Sequence, residues 1–375
     1  MKKVILKLAG AGQDKLFHSI QSLNGYEVIG FTDSKIDKIG KSVGGLKVVS
    51  VYEVVEMYAS GRVDAVVIDS GVGSQLIRKM RDELVTLGVK PADVLLAKPE
   101  FYADPMEQYM CSADEYHCLP YIEYHVADNC NLNCRACIHF SPLVPGNQFA
   151  DYKQVEADLR RLHDLVPYIE RIHILGGEPL LNKELYRYLD LTREVYPYAA
   201  IAIVTNGLLL RNIDSSLIDS IKKNNVSIWI SLYPPMFQQI QQIIEKLKAL
   251  DIEVVVSAPI KEFAYAFDEE GGHAKGIQRI NCTCPNLYKG KLAICPPIAY
   301  IEYFNKEFQK DIDAEQGKID IYDEALTFEM VQERLHTPIE ICDKCLFVSR
   351  EDAVTLEWSQ TREKSYDDYV LRHNK

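Results

Sequence analysis

The chain has 375 residues, and its 47% hydrophobic content is ordinary for a globular protein. At roughly 100–200 residues per domain, this length suggests two or three domains. The formal net charge of −12 argues against a nucleic-acid partner and against docking on an anionic membrane, since both need clustered Lys and Arg. No apolar run reaches the roughly 18–20 residues of a membrane span, and the stretch after Lys3 is too short for a signal peptide. We therefore expect a cytoplasmic protein.

Residues 1–97 alternate between strand and helix patterns, which predicts a parallel, Rossmann-like sheet. The first strand precedes Gly10-Ala11-Gly12, which opens a helix, and a helix N-terminus suits a phosphate. Asp33, about twenty residues further on, could bind a ribose hydroxyl, although Lys15 replaces the third glycine of the dinucleotide motif. The strands are predicted at Val4–Leu8, Glu27–Phe31, Val63–Asp69 and Val94–Ala97.

Two runs in this domain, residues 28–33 (Val-Ile-Gly-Phe-Thr-Asp) and 44–48 (Gly-Gly-Leu-Lys-Val), resemble the nucleotide-sugar-binding domain that precedes some bacterial sugar acyltransferases. The resemblance implies a nucleotide-sugar ligand held near Gly10, Gly12 and Asp33. The alternative is a scaffold or protein-interaction domain whose site is vacant.

A second alternating series begins after residues 98–119, which are polar and irregular and are predicted to be a linker. It runs over 120–260 and predicts a partial or full parallel barrel, whose active site would lie at the C-terminal strand ends. The strands are predicted at Ile122–Val126, Arg171–Leu175, Ala200–Val204, Val226–Ser231 and Ile252–Ser257, and the helices at Tyr152–Leu165, Lys183–Val195, Ser215–Asn224 and Gln238–Ala249.

Cys130, Cys134 and Cys137 lie just beyond the first strand of this barrel. Cysteine thiolates are the ligands that iron–sulfur clusters prefer, and this spacing can wrap one corner of a 4Fe–4S cube. Because three ligands leave one iron open, a substrate could bind there through nitrogen and oxygen. The spacing alone also allows a structural zinc site with His139 as the fourth ligand.

Three further motifs each follow a predicted strand: Gly-Gly-Glu-Pro at 176–179, Thr-Asn-Gly at 205–207, and Ser231. With the three cysteines, and in this order, they closely resemble the radical S-adenosylmethionine (SAM) superfamily. The resemblance implies a partial (βα)6-type barrel that holds a 4Fe–4S cluster and SAM. One departure is Ala136, at a position that is commonly aromatic in the family. The residues expected at the cofactor are Gly176, Gly177, Glu178, Pro179, Asn206 and Ser231, with the Glu178 carboxylate on the SAM amino group.

The chemistry that the resemblance implies is reductive cleavage of SAM to a 5′-deoxyadenosyl radical, which then abstracts hydrogen from a substrate. The protein would orient the reactive carbon and exclude water. The resemblance also implies a flavodoxin- or ferredoxin-type electron donor.

The remaining residues, 261–375, carry a second cysteine group: Cys284, Cys295, Cys342 and Cys345. The pattern resembles the shortened auxiliary-cluster (SPASM/twitch-like) extension of radical SAM enzymes, which implies a small domain with a second 4Fe–4S cluster. Cys282 competes with Cys284 for the first position, and a structural zinc is the alternative to a cluster. The segment Trp358–Lys375 is predicted to be a surface helix.

Two candidates within the barrel are less specific. Tyr124 and His125 are neighbours on the first strand, so one should point into the barrel, and His173 lies on the second strand.

The leading functional hypothesis is oxidation or epimerisation of a carbohydrate or nucleotide-linked sugar. The alternatives are a peptide-modifying maturase, with the N-terminal domain docking a leader segment, and a non-enzymatic cluster-bearing sensor or scaffold.

Overall fold

The alternating apolar runs of the first 120 residues form the strands of one sheet. The computed structural model describes residues 1–7, 13–272, 284–347 and 354–373. The chain divides into two units, Met1–Pro120 and Tyr121–Lys375. In the part of the chain that the structure describes, no helix is long and apolar enough to span a membrane.

The first unit contains a seven-stranded sheet in the order β3-β4-β2-β1-β5-β6-β7. Its interior pairs are parallel, and the two edge strands are antiparallel to their neighbours. Its strands are β1 Lys2–Lys7, β2 Tyr26–Thr32, β3 Ser42–Val43, β4 Leu46–Val49, β5 Ala65–Asp69, β6 Val94–Ala97 and β7 Met110–Ser112, and the helices are α1 Gln13–Gln21, α2 Val51–Ala59 and α3 Ser74–Thr86. The short strand β8 Cys118–Leu119 is not part of this sheet.

Helices cover both faces of this sheet, so its central strands are apolar on both sides. In β1, Val4 and Leu6 pack into one core cluster, whereas Ile5 packs into the other. Strand β7 lies within the segment predicted to be a linker, and it extends the sheet beside β6.

The second unit is built on five parallel strands in the order β14-β13-β12-β11-β9, and it confirms the predicted α/β class with parallel sheets. Helix α4 starts at the Asp151 N-cap and buries Leu159 and Leu162. The elements are β9 Ile122–Ala127, α4 Tyr152–Leu165, β10 Tyr168–Ile169, β11 Arg171–Gly176, α5 Leu185–Val195, β12 Ala200–Thr205, α6 Ser215–Lys223, β13 Ser227–Ile230, α7 Ile240–Ala249 and β14 Val254–Val256.

The sheet continues past residue 260, where the sequence pattern becomes irregular. A strand of only three residues, β17, pairs in parallel with β9, and it is followed by an antiparallel hairpin partner, β18, and then by β19. A strand this short carries too few alternating positions to be recognised from its sequence. The elements are β15 Glu262–Ala264, β16 Phe267–Asp268, β17 Asn286–Tyr288, β18 Lys291–Ala293, α8 Pro296–Phe308, β19 Lys318–Asp320, α9 Phe328–His336, β20 Thr355–Glu357 and β21 Val370–Leu371.

The prediction of a surface helix over Trp358–Lys375 is wrong for the described part of that segment. Within it β21 pairs with β16 and the described residues form no α-helix, and β20, which directly precedes the segment, pairs with β15. The backbone groups of this segment find partners in distant strands, so the segment needs no helical hydrogen bonds of its own.

Candidate active site

The three cysteines of the first group line one cavity of about 330 Å³ at the C-terminal end of the parallel strands. They lie in the loop that follows β9. Burial raises the pKa of Cys134 to about 12, and the nearby Cys137 raises it further. Burial also raises the pKa of Cys130, with smaller contributions from Cys137 and Cys134. Three clustered, buried thiols favour their thiolate form only beside a positive charge such as a metal centre.

The three cysteines all line the same cavity. Among the described residues, no three His, Cys, Asp or Glu side chains are grouped to hold a single metal ion. In an iron–sulfur cluster the thiolates bind to iron atoms of an extended cube. His139, the alternative fourth zinc ligand, also lines the cavity, but its Nδ1 lies 2.8 Å from Nε2 of His125.

Gly176 and Gly177 are required by the close approach of two backbone segments. A Cβ built on Gly176 would lie 1.9 Å from the carbonyl oxygen of Ala127, and one built on Gly177 would lie 2.5 Å from that of Asn129. Both glycines line the cavity. Only glycine lets the end of β11 pass this close to the loop that carries the cysteines.

Glu178 joins the ends of β11 and β12. Its carboxylate accepts hydrogen bonds from Thr205 Oγ1 at 2.7 Å, from the Asn206 backbone N–H at 2.9 Å and from the Leu180 N–H at 3.1 Å. Burial raises its pKa to about 7. Glu178 and Pro179 lie behind the glycines, both are buried, and the cavity lining includes the glycines and not these two residues. The expected contact between Glu178 and the SAM amino group therefore stays a prediction.

Asn206 and Ser231, the other two residues expected at the cofactor, both line the cavity. Asn206 Nδ2 donates a hydrogen bond to Asn131 Oδ1 at 2.7 Å and lies 3.9 Å from Cys130 Sγ. The structure therefore brings the two strand-end motifs and the cysteine loop to the same cavity.

Three hydrogen-bonded polar side chains line one part of the cavity, which we call its floor: Tyr121, Glu123 and His173. The sequence analysis identified only His173. Tyr121 donates a hydrogen bond to Glu123 Oε2 at 2.7 Å, and its hydroxyl lies 2.8 Å from Nδ1 of His173. All three residues line the cavity. Nε2 of His173 is buried and has no hydrogen-bond partner among the described residues. Glu123 lies two positions before His125 on the same strand face, and that alternation is the signal that could have found it.

Tyr124 and His125 face opposite sides of β9, as strand alternation predicts. The Tyr124 hydroxyl points to α5, where it lies 2.7 Å from Thr192 Oγ1. His125 stacks on the Tyr300 ring at 3.8 Å, and its Nδ1 lies 2.8 Å from Asp128. Neither side chain lines the cavity that holds the cysteines.

The second cysteine group lies around the β17–β18 hairpin and the turn Glu340–Lys344. Cys284 precedes β17, and Cys295 is the N-cap of α8 just after β18. Cys342 and Cys345 are joined by a backbone hydrogen bond of 3.2 Å. Cys282, the competing residue, lies outside the described residues.

The predicted ligand residues of the first unit are only partly described. Gly10 and Gly12 lie outside the described residues. Asp33 follows the end of β2, is 5% exposed, and pairs with the Lys38 ammonium at 2.7 Å. Its carboxylate is therefore already engaged within its own loop.

Trp358 contacts the cysteine loop, and the sequence analysis did not identify this contact. Its indole Nε1 lies 3.3 Å from Cys134 Sγ. The two residues are 224 positions apart, so no local pattern could have indicated the contact.

Comparisons with known proteins found a matching family model and several similar proteins. Residues 124–260 match the family model described as Radical SAM superfamily. Two GTP 3′,8-cyclases are similar in sequence. That of Sulfurovum sp. (strain NBC37-1) is 28% identical over 147 residues, covering 38% of this chain and 44% of the relative. That of Nautilia profundicola is 31% identical over 127 residues, covering 33% and 39%. The chain thus spans less than half the length of these curated relatives.

Among solved structures, BtrN in complex with AdoMet and 2-DOIA is similar over 60% of this chain and 92% of its own, with 18% identity and a TM-score of 0.38. Native anSMEcpe with bound AdoMet is similar over 36% of this chain and 43% of its own, with 19% identity and a TM-score of 0.30.

The family uses a 4Fe–4S cluster and SAM, and the described residues fit both groups. The three cysteines, of which Cys134 is buried and Cys130 and Cys137 are half-buried, line one cavity together with polar residues at the strand ends. Gly176 and Gly177 also line this cavity and present no side chain to it. Cys130, Cys134 and Cys137 would hold the cluster. Asn206 and Ser231 line the same cavity, and their contact with SAM stays a prediction.

Proposed function

Because the chain contains a radical SAM domain, we propose that it is an enzyme that removes hydrogen from a hydroxylated small molecule bound on the floor of its cavity. The observation that carries this proposal is the buried, unpartnered Nε2 of His173 in a cavity that also reaches the three cysteines. When bound, the reduced cluster supplies one electron for cleavage of SAM to the 5′-deoxyadenosyl radical.

The hydrogen bonds of the floor give His173 a defined tautomer. Burial lowers the pKa of His173 to about 4, so its ring is neutral at pH 7. Burial raises the pKa of Glu123 to about 7. When Glu123 is ionised it can only accept, so the single proton of Tyr121 is donated to it, and Nδ1–H of His173 donates to the Tyr121 oxygen. Nε2 then carries a lone pair without a partner among the described residues, on a side chain that lines the cavity.

A buried acceptor without a partner costs about 1–3 kcal/mol, and a bound hydroxyl group would remove that cost. Hydroxyl donors are abundant in carbohydrates and in nucleotide-linked sugars, the substrate class that the sequence analysis favours. The curated relatives are named for GTP, whose ribose also carries hydroxyls. We propose that a sugar hydroxyl binds to His173 Nε2 while the carbon that loses hydrogen faces the cysteines.

We also propose that the second cysteine group holds an auxiliary 4Fe–4S cluster. The hairpin register pairs Asn286 with Ala293, so two further positions along each strand bring Cys284 opposite Cys295. This register supports Cys284 over Cys282 as the ligand.

The turn with the other two cysteines approaches the same hairpin. A Cβ built on Gly317 would lie 2.8 Å from Ile339 and 3.0 Å from Ile294, which directly precedes Cys295. Cys342 follows Ile339 by three positions. An auxiliary cluster could accept an electron from the substrate and make the reaction an oxidation, whereas zinc could not.

Iron and sulfide content of the anaerobically reconstituted protein tests both cluster proposals. We expect about eight irons in the wild type and about four in the Cys130→Ala/Cys134→Ala/Cys137→Ala variant, which should form no 5′-deoxyadenosine. Cys111→Ala is the matched control, since Cys111 is a buried thiol of β7 outside both groups. About four irons in the wild type and none in the triple variant would refute the auxiliary cluster alone.

The substrate is tested by formation of 5′-deoxyadenosine from SAM and a reductant, with GTP and a panel of nucleotide sugars as probes. We expect one of them to raise the rate and the melting temperature, and His173→Phe to abolish both responses. A wild-type protein with a full cluster that forms no 5′-deoxyadenosine would refute the enzymatic proposal. An absence of response to every probe would refute the substrate class.

A further inference from the structure

We infer that Trp358 tunes the SAM-binding cluster: its indole N–H donates a hydrogen bond to the Cys134 sulfur and thereby raises the reduction potential of that cluster. The segment 355–361 holds the indole beside the cysteine loop. The inference rests on the proposed cluster at Cys130, Cys134 and Cys137. It adds a residue that belongs to none of the strand-end motifs.

The contact between the two side chains is direct. Nε1 of Trp358 lies 3.3 Å from Cys134 Sγ, a normal distance for a hydrogen bond to sulfur. The indole has this one donor and no acceptor, so its polar atom is committed to the thiolate. Cys134 is 6% exposed, and the contact is therefore screened little by water.

Backbone pairing holds the segment against the cysteine loop. Gln360 forms a bridge with Cys134, and hydrogen bonds run from Arg135 N to Ser359 O at 3.0 Å and from Thr361 N to Asn133 O at 2.7 Å. These contacts flank Cys134 on both sides and keep the backbone of the segment beside the cysteine loop.

The other end of the segment fixes the direction of the indole. Strand β20 pairs with β15, and the Trp358 N–H donates to Lys261 O at 2.7 Å. The Trp358 ring stacks on Tyr233, with ring centroids 6.1 Å apart and an angle of 21° between the planes. Tyr233 itself lines the cavity.

A hydrogen bond to a ligating sulfur stabilises the more negative, reduced state of a cluster, and such bonds tune cluster potentials. Removing the donor should therefore make the cluster harder to reduce. Trp358 acts on the reacting centre through Cys134, so it is a positioning residue.

The test compares Trp358→Phe, which keeps a ring against Tyr233 but lacks the N–H, with Trp229→Phe. Trp229 is the only other tryptophan of the chain. It lines the same cavity, but its ring contacts His173 and Arg171. Redox titration followed by electron paramagnetic resonance identifies the SAM-binding cluster as the one whose signal changes when SAM is added.

At a fixed solution potential we expect the reduced-to-oxidised ratio of that cluster to fall about threefold to tenfold in Trp358→Phe, where tenfold corresponds to 59 mV for one electron. Trp229→Phe should leave the ratio unchanged. An unchanged ratio in Trp358→Phe, or an equal fall in both variants, would overturn the inference. A wild type without any SAM-sensitive signal would instead overturn the proposed cluster itself.

A second measurement does not depend on how well Trp358→Phe folds. In Trp229→Phe protein grown with ring-deuterated, 15N-labelled tryptophan, Trp358 is the only labelled indole. We expect hyperfine coupling between the exchangeable hydrogen of this indole and the reduced cluster. Absence of that coupling in protein with full iron content would contradict the hydrogen bond.

Discussion

The polar side chains at the strand ends form ion pairs in the first unit and line a cavity in the second. In the first unit these side chains are paired at short range. Lys7 is 1% exposed and lies 2.8 Å from a Glu83 carboxylate oxygen, and Asp33 pairs with Lys38 at 2.7 Å. In the second unit the strand ends direct three thiols and the amide of Asn206 into a cavity, with an unpartnered His173 nitrogen beneath them.

This difference shows that polar residues at the ends of parallel strands mark a sheet edge, and that a reactive site also needs some of them left unpaired. The nucleotide ligand expected at Asp33 therefore stays a prediction, with its carboxylate already engaged by Lys38. Substitutions at matched residues of the two units test this difference between their strand ends.

The largest difference in stability is expected between two glycine-to-alanine substitutions, one in a strand of each unit. In Gly176→Ala the new Cβ would lie 1.9 Å from the Ala127 oxygen, whereas in Gly30→Ala it would lie 3.3 Å from the Lys47 oxygen. We expect the free energy of unfolding to fall by more than about 3 kcal/mol for Gly176→Ala and by no more than about 1 kcal/mol for Gly30→Ala. Urea unfolding measures both, and equal losses would show that the cavity wall is no tighter than the first sheet.

Buried carboxylates provide the next comparison. Burial raises the pKa of Glu123 to about 7. The folded state therefore binds more protons than the unfolded state, and this contribution to stability is lost as the pH rises from about 4.5 to 7. Glu123→Gln should remove the loss and stabilise the second unit at pH 8 by up to about 3 kcal/mol, with little difference near pH 4.5.

Asp33→Asn is the counterpart in the first unit, and the opposite sign is expected there. It breaks the ion pair with Lys38, which is partly exposed, so we expect a loss of about 1 kcal/mol or less. Denaturant unfolding at both pH values measures each variant. A Glu123→Gln protein that is less stable than the wild type at pH 8 would show that the Glu123 hydrogen bonds outweigh the cost of its burial.

The smallest effects are expected at two Arg–Asp pairs. Arg135 lies 2.5 Å from Asp368, whose side chain is 6% exposed, whereas Arg81 lies 2.7 Å from Asp114, whose side chain is 47% exposed. Asp368→Asn should cost about 1 kcal/mol and Asp114→Asn less than about 0.5 kcal/mol, because exposed pairs are screened by water. Thermal unfolding at low and high salt compares them, and equal costs would mean that the contact at the cysteine loop is no stronger than an ordinary surface pair.

Local sequence patterns were sufficient for the parts of the fold whose signal is repeated along the chain. Nine of the parallel strands and helix α4 follow from alternation and helical period, whereas the parallel strands β4 and β17 were not predicted. The three cysteines follow from their spacing. The motifs at 176–179, 205–207 and 231 were placed by their position after strands. All of these features depend on neighbours within a few residues.

The features that were missed depend on distant partners. Trp358 meets Cys134 across 224 positions, and β20 and β21 gain their hydrogen bonds from β15 and β16. The segment Trp358–Lys375, which contains β21 and directly follows β20, carries no strand period and was wrongly predicted to be a helix. The contact of Glu123 with Asn286 likewise spans 163 positions.

The contacts between the cysteine loop and residues 358–368 also set an order of events during synthesis. Trp358 and Cys134 are 224 positions apart, and Asp368 and Arg135 are 233 apart. At about 5–20 residues per second, a ribosome takes on the order of 10–50 s to make the chain between them. Throughout that interval the three thiols exist without their covering segment, and bare thiolates are open to oxidation and to the wrong metal. The yield of correctly metallated protein in an expression host should therefore depend on how fast the last third of the message is translated.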